Sequence, residues 1–453
     1  MASLPLPASA VDDTLRGFGR DFLWGASTSA YQVEGGAQAD GRGPSVWDVF
    51  AHTPGRIRDG STGDVACDHY HRSAEDVALL AEGGFRAYRF STSWSRILPA
   101  GTGAVNHKGL DFYDRLTDQL LARGITPWLC LFHWDLPQAL QERGGWLNRD
   151  IAGWLTDYAE IVARKLGDRI THWVMLNEAV VHALFGHGLG GSAPGLTGFE
   201  PFISALHHQN LAQGRALAAL RDLNRNFRLG TVMVLQPTRP ASPAPQDQAA
   251  AERFDAIWNR ACLDPLFKGA YPALLQDDFA RFVKADDLAA IRQPIDMLGM
   301  NYYSRMHIHA DPASPTGTQF GGSQVPREHT AMGWPIEPDG LTEQLLQLRD
   351  RYGNPEVYIT ENGAAFDDTV AADGTVDDAK RVAYLAGHLR AALQAKREGA
   401  NLRGYFVWSL LDNFEWAEGY AKRFGIVHVD FKTLKRTPKA SYRFMADVIR
   451  AQT

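Results

Sequence analysis

The chain is 453 residues long, 45% apolar and 22% charged. These values are ordinary for a globular enzyme, and the length accommodates roughly two or three average domains or one large α/β barrel. A net charge of −6 without a long basic run argues against nucleic acid as the main partner, and three widely spaced cysteines (Cys67, Cys130, Cys262) exclude a disulfide framework or a Cys-x-x-Cys site.

Residues 1–16 are expected to form a disordered tail, followed by one catalytic unit spanning 17–453. The opening MASLPLPASA ends like a signal-cleavage site, but it has no basic side chain and Pro5 and Pro7 break its short apolar run. Phe22 to Ser27 reads as a first strand leading into Tyr31-Gln32-Val33. A Gly/Pro/Asp-rich loop follows, longest near Gly36–Asp64. Ser73 to Glu82 has helical spacing and stops at Gly83-Gly84. The strand Ala87 to Ser91 places Arg89 among apolar residues. A helix from Leu110 to Ala122 leads to the strand Trp128 to Phe132, which ends in His133-Trp134-Asp135. Cys130 lies within that strand, where a small buried hydrophobe is expected.

The alternation continues. A helix from Ile151 to Leu166 precedes a strand running from His172 to Glu178. A helix from Ser204 to Leu223 precedes the strand Leu229 to Leu235. An insertion containing a helix from Ala249 to Leu263 precedes the strand Met297 to Tyr303. A second long loop spans Arg305–Glu337. The helix Leu341 to Arg351 leads to a strand ending at Glu361, and the helix Ala379 to Lys396 leads to the strand Gly404 to Trp408. Near-continuous apolar strands separated by helices indicate a parallel sheet, and eight such units predict a single-domain (β/α)8 TIM barrel with long loops at the carboxyl ends of its strands. The rival, a doubly wound open sheet, lacks a Gly-x-Gly-x-x-Gly after the first strand. The Pro237–Pro245 stretch is too short to link domains. No apolar run approaches the roughly 20 residues of a membrane span, and the cysteine usage fits a reducing compartment. A cytoplasmic protein with no membrane partner is therefore expected.

Polar residues gather where these strands end: Gln32, Arg89, His133, Asn177, Glu178, Asn301, Tyr303, Glu361 and Trp408. Two of the strands end in a carboxylate, Glu178 after Met-Leu-Asn and Glu361 after Tyr-Ile-Thr. A carboxylate closing an apolar strand is costly unless something pairs with it. In a barrel the two would face each other across one pocket, which is the arrangement that glycoside hydrolysis requires. The twelve tryptophans suit sugar surfaces where they line a pocket.

From Phe22 to about Tyr442 the sequence resembles the family 1 glycoside hydrolases. The matching stretches FLWGASTSAYQVEGG, FRAYRFSTSW, LFHWDLPQ, NYY, ITENG and GYFVWSLLDNFEW stand in the family's order. The resemblance implies that Glu361 is the nucleophile and Glu178 the general acid/base, with Arg89 and Tyr303 stabilising the Glu361 carboxylate. It implies that Asn177 bonds the sugar 2-hydroxyl and that Gln32, His133, Glu415 and Trp416 bond the non-reducing sugar. Trp408 becomes a stacking platform, and Trp134, Trp334 and Phe424 further pocket walls. The implied activity is that of a retaining exo-β-glycosidase, foremost a β-glucosidase with tolerance for galactosides or fucosides, whose partner is a small β-glycoside. A transglycosidase using the same residues and a catalytically inactive sugar-binding relative are the alternatives.

Two positions depart from the family pattern. Ala179 stands where Asn-Glu-Pro has proline, and the lost φ restriction is expected to loosen the loop after Glu178. Relatives acting on 6-phosphorylated sugars carry a Ser and a Lys-x-Tyr in the last loop, whereas this chain has Glu415 and Lys422-Arg423-Phe424. Repulsion between Glu415 and a phosphate dianion is expected to exclude such sugars. Of the pairs His69/His71, His207/His208 and His307/His309, only the first and last have same-face strand spacing, and neither shows a Cys or carboxylate partner at ligand spacing, so neither metal nor organic cofactor is expected. Gly188 to Gly191 lacks the Gly-Lys-Ser/Thr of a phosphate cradle and is expected to be a flexible loop.

Overall fold

The computed structural model describes residues 13–321 and 327–452. Strands β1 (Leu23–Ser27), β2 (Ala87–Ser91), β3 (Thr126–Phe132), β4 (His172–Asn177), β5 (Arg228–Val234), β6 (Met297–Asn301), β7 (Val357–Asn362) and β8 (Leu402–Trp408) close into one parallel barrel, in the order β1-β8-β7-β6-β5-β4-β3-β2. Closure comes from β1, which pairs with β2 (Gly25 opposite Ala87) and with β8 (Leu23 opposite Gly404). The closed barrel itself therefore has no strand edge open to another chain.

Parallel neighbours need a crossover, and helices supply it. Ile151–Leu166, between β3 and β4, buries Ile151, Leu155, Tyr158, Val162 and Leu166, a stripe at helical spacing that packs onto the barrel. His107–Leu121 ends shortly before Gly124, whose φ of +69° is the left-handed conformation that glycine adopts without strain. The helix Ala440–Arg450 covers the barrel after β8 and buries Tyr442, Met445, Val448 and Ile449.

Side chains fill the interior of the barrel. Ala87, Trp128, Cys130, Val174, Val232, Met297, Tyr358 and Phe406 form one buried cluster, with Leu23 packed against it. Truncating a large side chain in such a core costs about 3–5 kcal/mol, so this plug is a rigid floor. Alternation along the strand sets what stands above it. Ala87 points into the plug, and Arg89, two residues on, projects from the same face nearer the carboxyl end.

Several boundaries differ from the sequence reading. Residues 1–12 of the expected tail lie outside the described residues, but Asp13–Gly17 forms a 3-10 turn and Leu15 is buried, so the ordered chain begins before residue 17. Order there comes from burying Leu15 and Phe18 in the main core. The insertion after β5 holds helix Pro245–Asp255, a π-turn Ala256–Arg260 and helix Ala261–Lys268. Both long loops carry structure: Val46–His52 is helical in the first, and Met306–Ala310 pairs antiparallel with Thr318–Phe320 in the second. Gly188 closes a π-turn, Leu184–Gly188, and Leu189 bridges to Thr197, while Gly190 and Gly191 lie in the loop between the two bridged residues. Cys130 is fully buried as expected. Among the described residues no helix is long and apolar enough to cross a membrane.

Candidate active site

The carboxyl ends of the strands bring the predicted residues to one side of the barrel. Arg89 lies within β2, Asn177 ends β4 and Asn301 ends β6, while Glu361 lies within β7 and Trp408 ends β8. Gln32 follows β1 in a short helix, His133 and Trp134 follow β3, and Tyr303 follows β6. Glu178 stands one residue beyond β4 with φ +48°, and Trp134 and Trp416 also have positive φ, at +78° and +49°. Non-glycine residues seldom adopt this conformation, and it concentrates at functional sites. Gly363, after the second Glu, leaves no room for a side chain, since a Cβ there would lie 1.7 Å from the Trp408 carbonyl oxygen. That contact accounts for the Asn-Gly turn.

One hydrogen-bonded network joins the two glutamates. Arg89 donates from Nη1 to Glu361 Oε1 (2.6 Å) and from Nη2 to Asn177 Oδ1 (2.5 Å). The Tyr303 hydroxyl donates to the other Glu361 oxygen at 2.7 Å. Asn301 Nδ2 donates to Glu178 Oε1 (2.8 Å) and to Asn177 Oδ1 (3.2 Å), and its own oxygen accepts from Thr360 Oγ1 at 2.7 Å. Glu361 therefore has a guanidinium and a phenol, while Glu178 has one neutral amide.

Unequal partners separate the two acidities. Burial and the neighbouring Glu361 charge push the Glu178 carboxyl up to about 8, and only Asn301 and Arg89 pull against them. Burial also raises Glu361, but Arg89 and Tyr303 oppose it directly. Glu361 is the member of the pair that ionises first, because it holds the cation at 2.6 Å. Glu178 is the member that keeps a proton at neutral pH.

Histidine 133 is fixed as a neutral tautomer. Asn177 Oδ1 is occupied by two donors, so the Asn177 atom 3.0 Å from His133 Nε2 is the amide nitrogen, and the ring accepts there. Burial and the Arg89 charge hold the imidazole well below its ordinary range. The proton sits on Nδ1, which has no partner among the described residues. One N–H donor remains unspent.

Aromatic rings wall the pocket. Trp408, Phe424 and Ala365 form one cluster against which Tyr303 and Trp334 pack, with Trp334 centred 5.2 Å from Tyr303 and 6.0 Å from Phe424. On the other side Trp416 packs against Trp134 (4.7 Å), Trp47 (4.6 Å) and His133 (5.9 Å). Gln32 Nε2 donates to Asn413 Oδ1 and the Phe414 carbonyl (3.0 Å each) and to Glu415 Oε2 (3.3 Å), which ties the end of β1 to the loop after β8. A flat apolar wall faced by hydrogen-bonding groups suits a pyranose.

The family model described as Glycosyl hydrolase family 1 matches residues 15–453. The chain belongs to this family. Beta-glucosidase A of Thermotoga maritima is 46% identical over 438 residues, covering 96% of this chain and 98% of its own length. The bifunctional beta-D-glucosidase/beta-D-fucosidase of Bifidobacterium breve is 43% identical, covering 95% of this chain and 98% of its own. The crystal structure of the psychrophilic beta-glucosidase from Micrococcus antarcticus superposes with a TM-score of 0.93 at 46% identity, covering 97% of this chain and 99% of the other.

Within this family 1 barrel, Ala179 does not behave as the sequence suggested. It opens the helix Ala179–Ala183, with Glu178 at the cap, so no loop follows the acid for the missing proline to loosen. The first helical position tolerates proline because its N–H lacks an intrahelical acceptor, and alanine, the best helix former, fits there equally well. Sequence reasoning missed Asn413 beneath Gln32 and Trp47 behind Trp416, and it placed Asn301 at a strand end without its role as the bridge between the glutamates. Asn301 had one signal, a polar residue closing an apolar strand. The histidine pairs have structural partners, His69 on Asp76 (2.8 Å), His207 on Asp287 (3.0 Å) and His307 on Glu337 (3.0 Å). Among the described residues no group of three or more His, Cys, Asp or Glu is placed to hold a metal.

Proposed function

We propose that the chain is a retaining exo-β-glycosidase, foremost a β-glucosidase, acting through Glu361 as nucleophile and Glu178 as acid/base. The observation that carries this reading is the unequal wiring of the two carboxyls, which supplies one ionised and one protonated group in the same pocket. Glu361 attacks the anomeric carbon while Glu178 gives its proton to the leaving oxygen. Once Glu361 is esterified its charge is gone, the main neighbour holding Glu178 protonated disappears, and Glu178 ionises to take a proton from water. Asn177 Nδ2 spends one hydrogen on His133, and the other serves the sugar 2-hydroxyl. Gln32, His133, Glu415 and Trp416 hold the remaining hydroxyls, Trp408 supports the ring, and Trp134, Trp334 and Phe424 complete the walls. The names of the relatives support glucosides first and fucosides second. A cytoplasmic location accords with three buried, unpaired thiols.

Release of nitrophenol from a nitrophenyl β-glucoside tests the activity, and no turnover of any β-glycoside would overturn it. The pH profile tests the roles. Glu178 must start protonated, so kcat/KM falls as pH rises through about 8, the value at which its carboxyl ionises. Two carboxyls and water suffice for the chemistry, so dialysis against a chelator leaves the rate unchanged.

The 6-phosphate of the same substrate is turned over far more slowly, although for a different reason from the one read in the sequence. Burial and the Glu361 charge push Glu415 up to about 8, so it is largely protonated at neutral pH and repels little. What the phosphate lacks is a cation. Lys422 Nζ donates to the Ala331 carbonyl (2.5 Å) and Arg423 to Asp412 (2.7 Å). A kcat/KM favouring the phosphate would mean that these side chains turn towards it.

A further inference from the structure

Thr360 stands one residue before the Glu361 carboxylate, and strand β7 is bulged to turn both side chains inwards. Tyr358 belongs to the plug and Ile359 to the main core, so regular alternation would aim Thr360 into the barrel and Glu361 out of it. Ile359 lies opposite Met300 of β6 and Glu361 opposite Asn301, which leaves Thr360 as an extra residue in that ladder. The bulge brings Glu361 round to Arg89 while Thr360 keeps its inward aim. Thr360 is fully buried and fills the space that Gly299 leaves, where a Cβ would lie 2.9 Å from Thr360 Oγ1. Its carbonyl accepts from Ser27 Oγ at 2.7 Å.

The Thr360 hydroxyl meets Asn301 Oδ1 at 2.7 Å, and the far side of the network fixes the direction of this bond. Arg89 can only donate, so the Asn177 atom it meets is the oxygen. The Asn301 atom 3.2 Å from that oxygen is then the amide nitrogen, and the carbonyl end faces Thr360, which donates. The same Nδ2 donates to Glu178 Oε1 at 2.8 Å. With Oε1 accepting, the acid's proton belongs on Oε2, which has no partner among the described residues. A reversed amide would present its carbonyl to Glu178, accept that proton and hold it away from the leaving oxygen.

We propose that Thr360 is a positioning residue for the acid step: through Asn301 it keeps the transferable proton of Glu178 on Oε2. The proposal rests on the glycosidase reading above and deepens it. Two contacts resist reversal of the amide, the Thr360 hydroxyl at 2.7 Å and Asn177 Oδ1 at the longer 3.2 Å. Removing the hydroxyl leaves Asn301 Oδ1 a buried acceptor without a donor, a state that folded proteins avoid. The Glu178 proton is the replacement within reach of the amide.

Aryl β-glucosides of graded leaving ability test this, because a phenyl leaving group needs the proton and a dinitrophenyl group departs without it. Thr360→Val should lose about tenfold in kcat/KM on phenyl β-glucoside, part of the roughly 10²–10⁴-fold that general acid catalysis contributes. On dinitrophenyl β-glucoside its loss should not exceed about twofold. Thr360→Ser keeps the hydroxyl and should recover most of the rate on phenyl β-glucoside. Thr360→Ala also lacks the hydroxyl and should split the two substrates in the same way, so the test stands if the valine variant does not fold. Equal losses on the two substrates, no loss on either, or a serine variant as impaired as the valine one overturns the proposal. Turnover of dinitrophenyl β-glucoside by the wild-type protein reports separately on the glycosidase reading.

Discussion

Glu361→Ala removes at least about 10⁴-fold of the rate on nitrophenyl β-glucoside, and azide restores turnover with the α-glycosyl azide as product. Without the nucleophile, the face of the sugar that Glu361 occupied is open to a small anion, which displaces the aglycone directly and inverts the anomeric centre. Glu178→Ala behaves differently. The nucleophile and its partners Arg89 and Tyr303 remain, so an activated leaving group still departs and the glycosyl–enzyme forms. It then stalls, because nothing activates water. Azide needs no base and attacks the intermediate, and the product is the β-glycosyl azide. NMR of the two products distinguishes the anomers. An α product from Glu178→Ala, or a β product from Glu361→Ala, would reverse the assignment of roles.

The barrel was legible because its parallel strands are buried on both faces. Such strands are apolar at nearly every position, as in Trp128-Leu129-Cys130-Leu131-Phe132, and the intervening helices show their buried stripes. Boundaries were less legible where tertiary contacts set them. His69–Glu82 begins four residues before its periodic apolar pattern, with His69 held by Asp76 and Tyr70 packed on Phe112. The Ala256–Arg260 π-turn breaks the register of an otherwise regular helical segment, and its Asn259 side chain bonds the Gln236 backbone, a contact between residues 23 apart in sequence. No local pattern announces such a turn.

For the site, a polar residue closing an apolar strand identified Arg89, Asn177, Glu178, Asn301 and Glu361, because each has to justify its burial. The family resemblance identified Glu415, Trp416 and Trp334, which lie on loops where periodicity says nothing. Neither route could yield the state of the groups. That Glu415 is largely neutral follows from its burial and the Glu361 charge beside it, and the tautomer of His133 follows from two donors converging on one oxygen of Asn177. These are properties of the folded network, in which residues hundreds of positions apart compete for the same few acceptors.

Arg89 is where that competition has the largest consequence after the glutamates themselves. It is fully buried, bridges Glu361 and Asn177, and is the cation held against the nucleophile. Arg89→Met leaves Glu361 with the Tyr303 hydroxyl alone, and losing a preorganised charged donor costs about 10²–10³-fold in kcat/KM. The pH profile separates this role from scaffolding. Arg89 lowers the Glu361 carboxyl against the effect of burial, so its removal raises that carboxyl. The nucleophile works only when ionised, above its pKa. Activity on the acid side is therefore lost at higher pH in the variant than in the wild type. Glu178 moves the same way: the Arg89 charge also pulls its carboxyl down, so removing the cation raises it and the alkaline limb shifts up. The whole bell moves to higher pH. Arg89→Lys keeps the charge but not the planar two-pronged bridge, and its acid limb should lie between the other two. A slower Arg89→Met enzyme whose limbs have not moved would mean that Arg89 merely holds Asn177 in place and does not set the ionisation of the nucleophile.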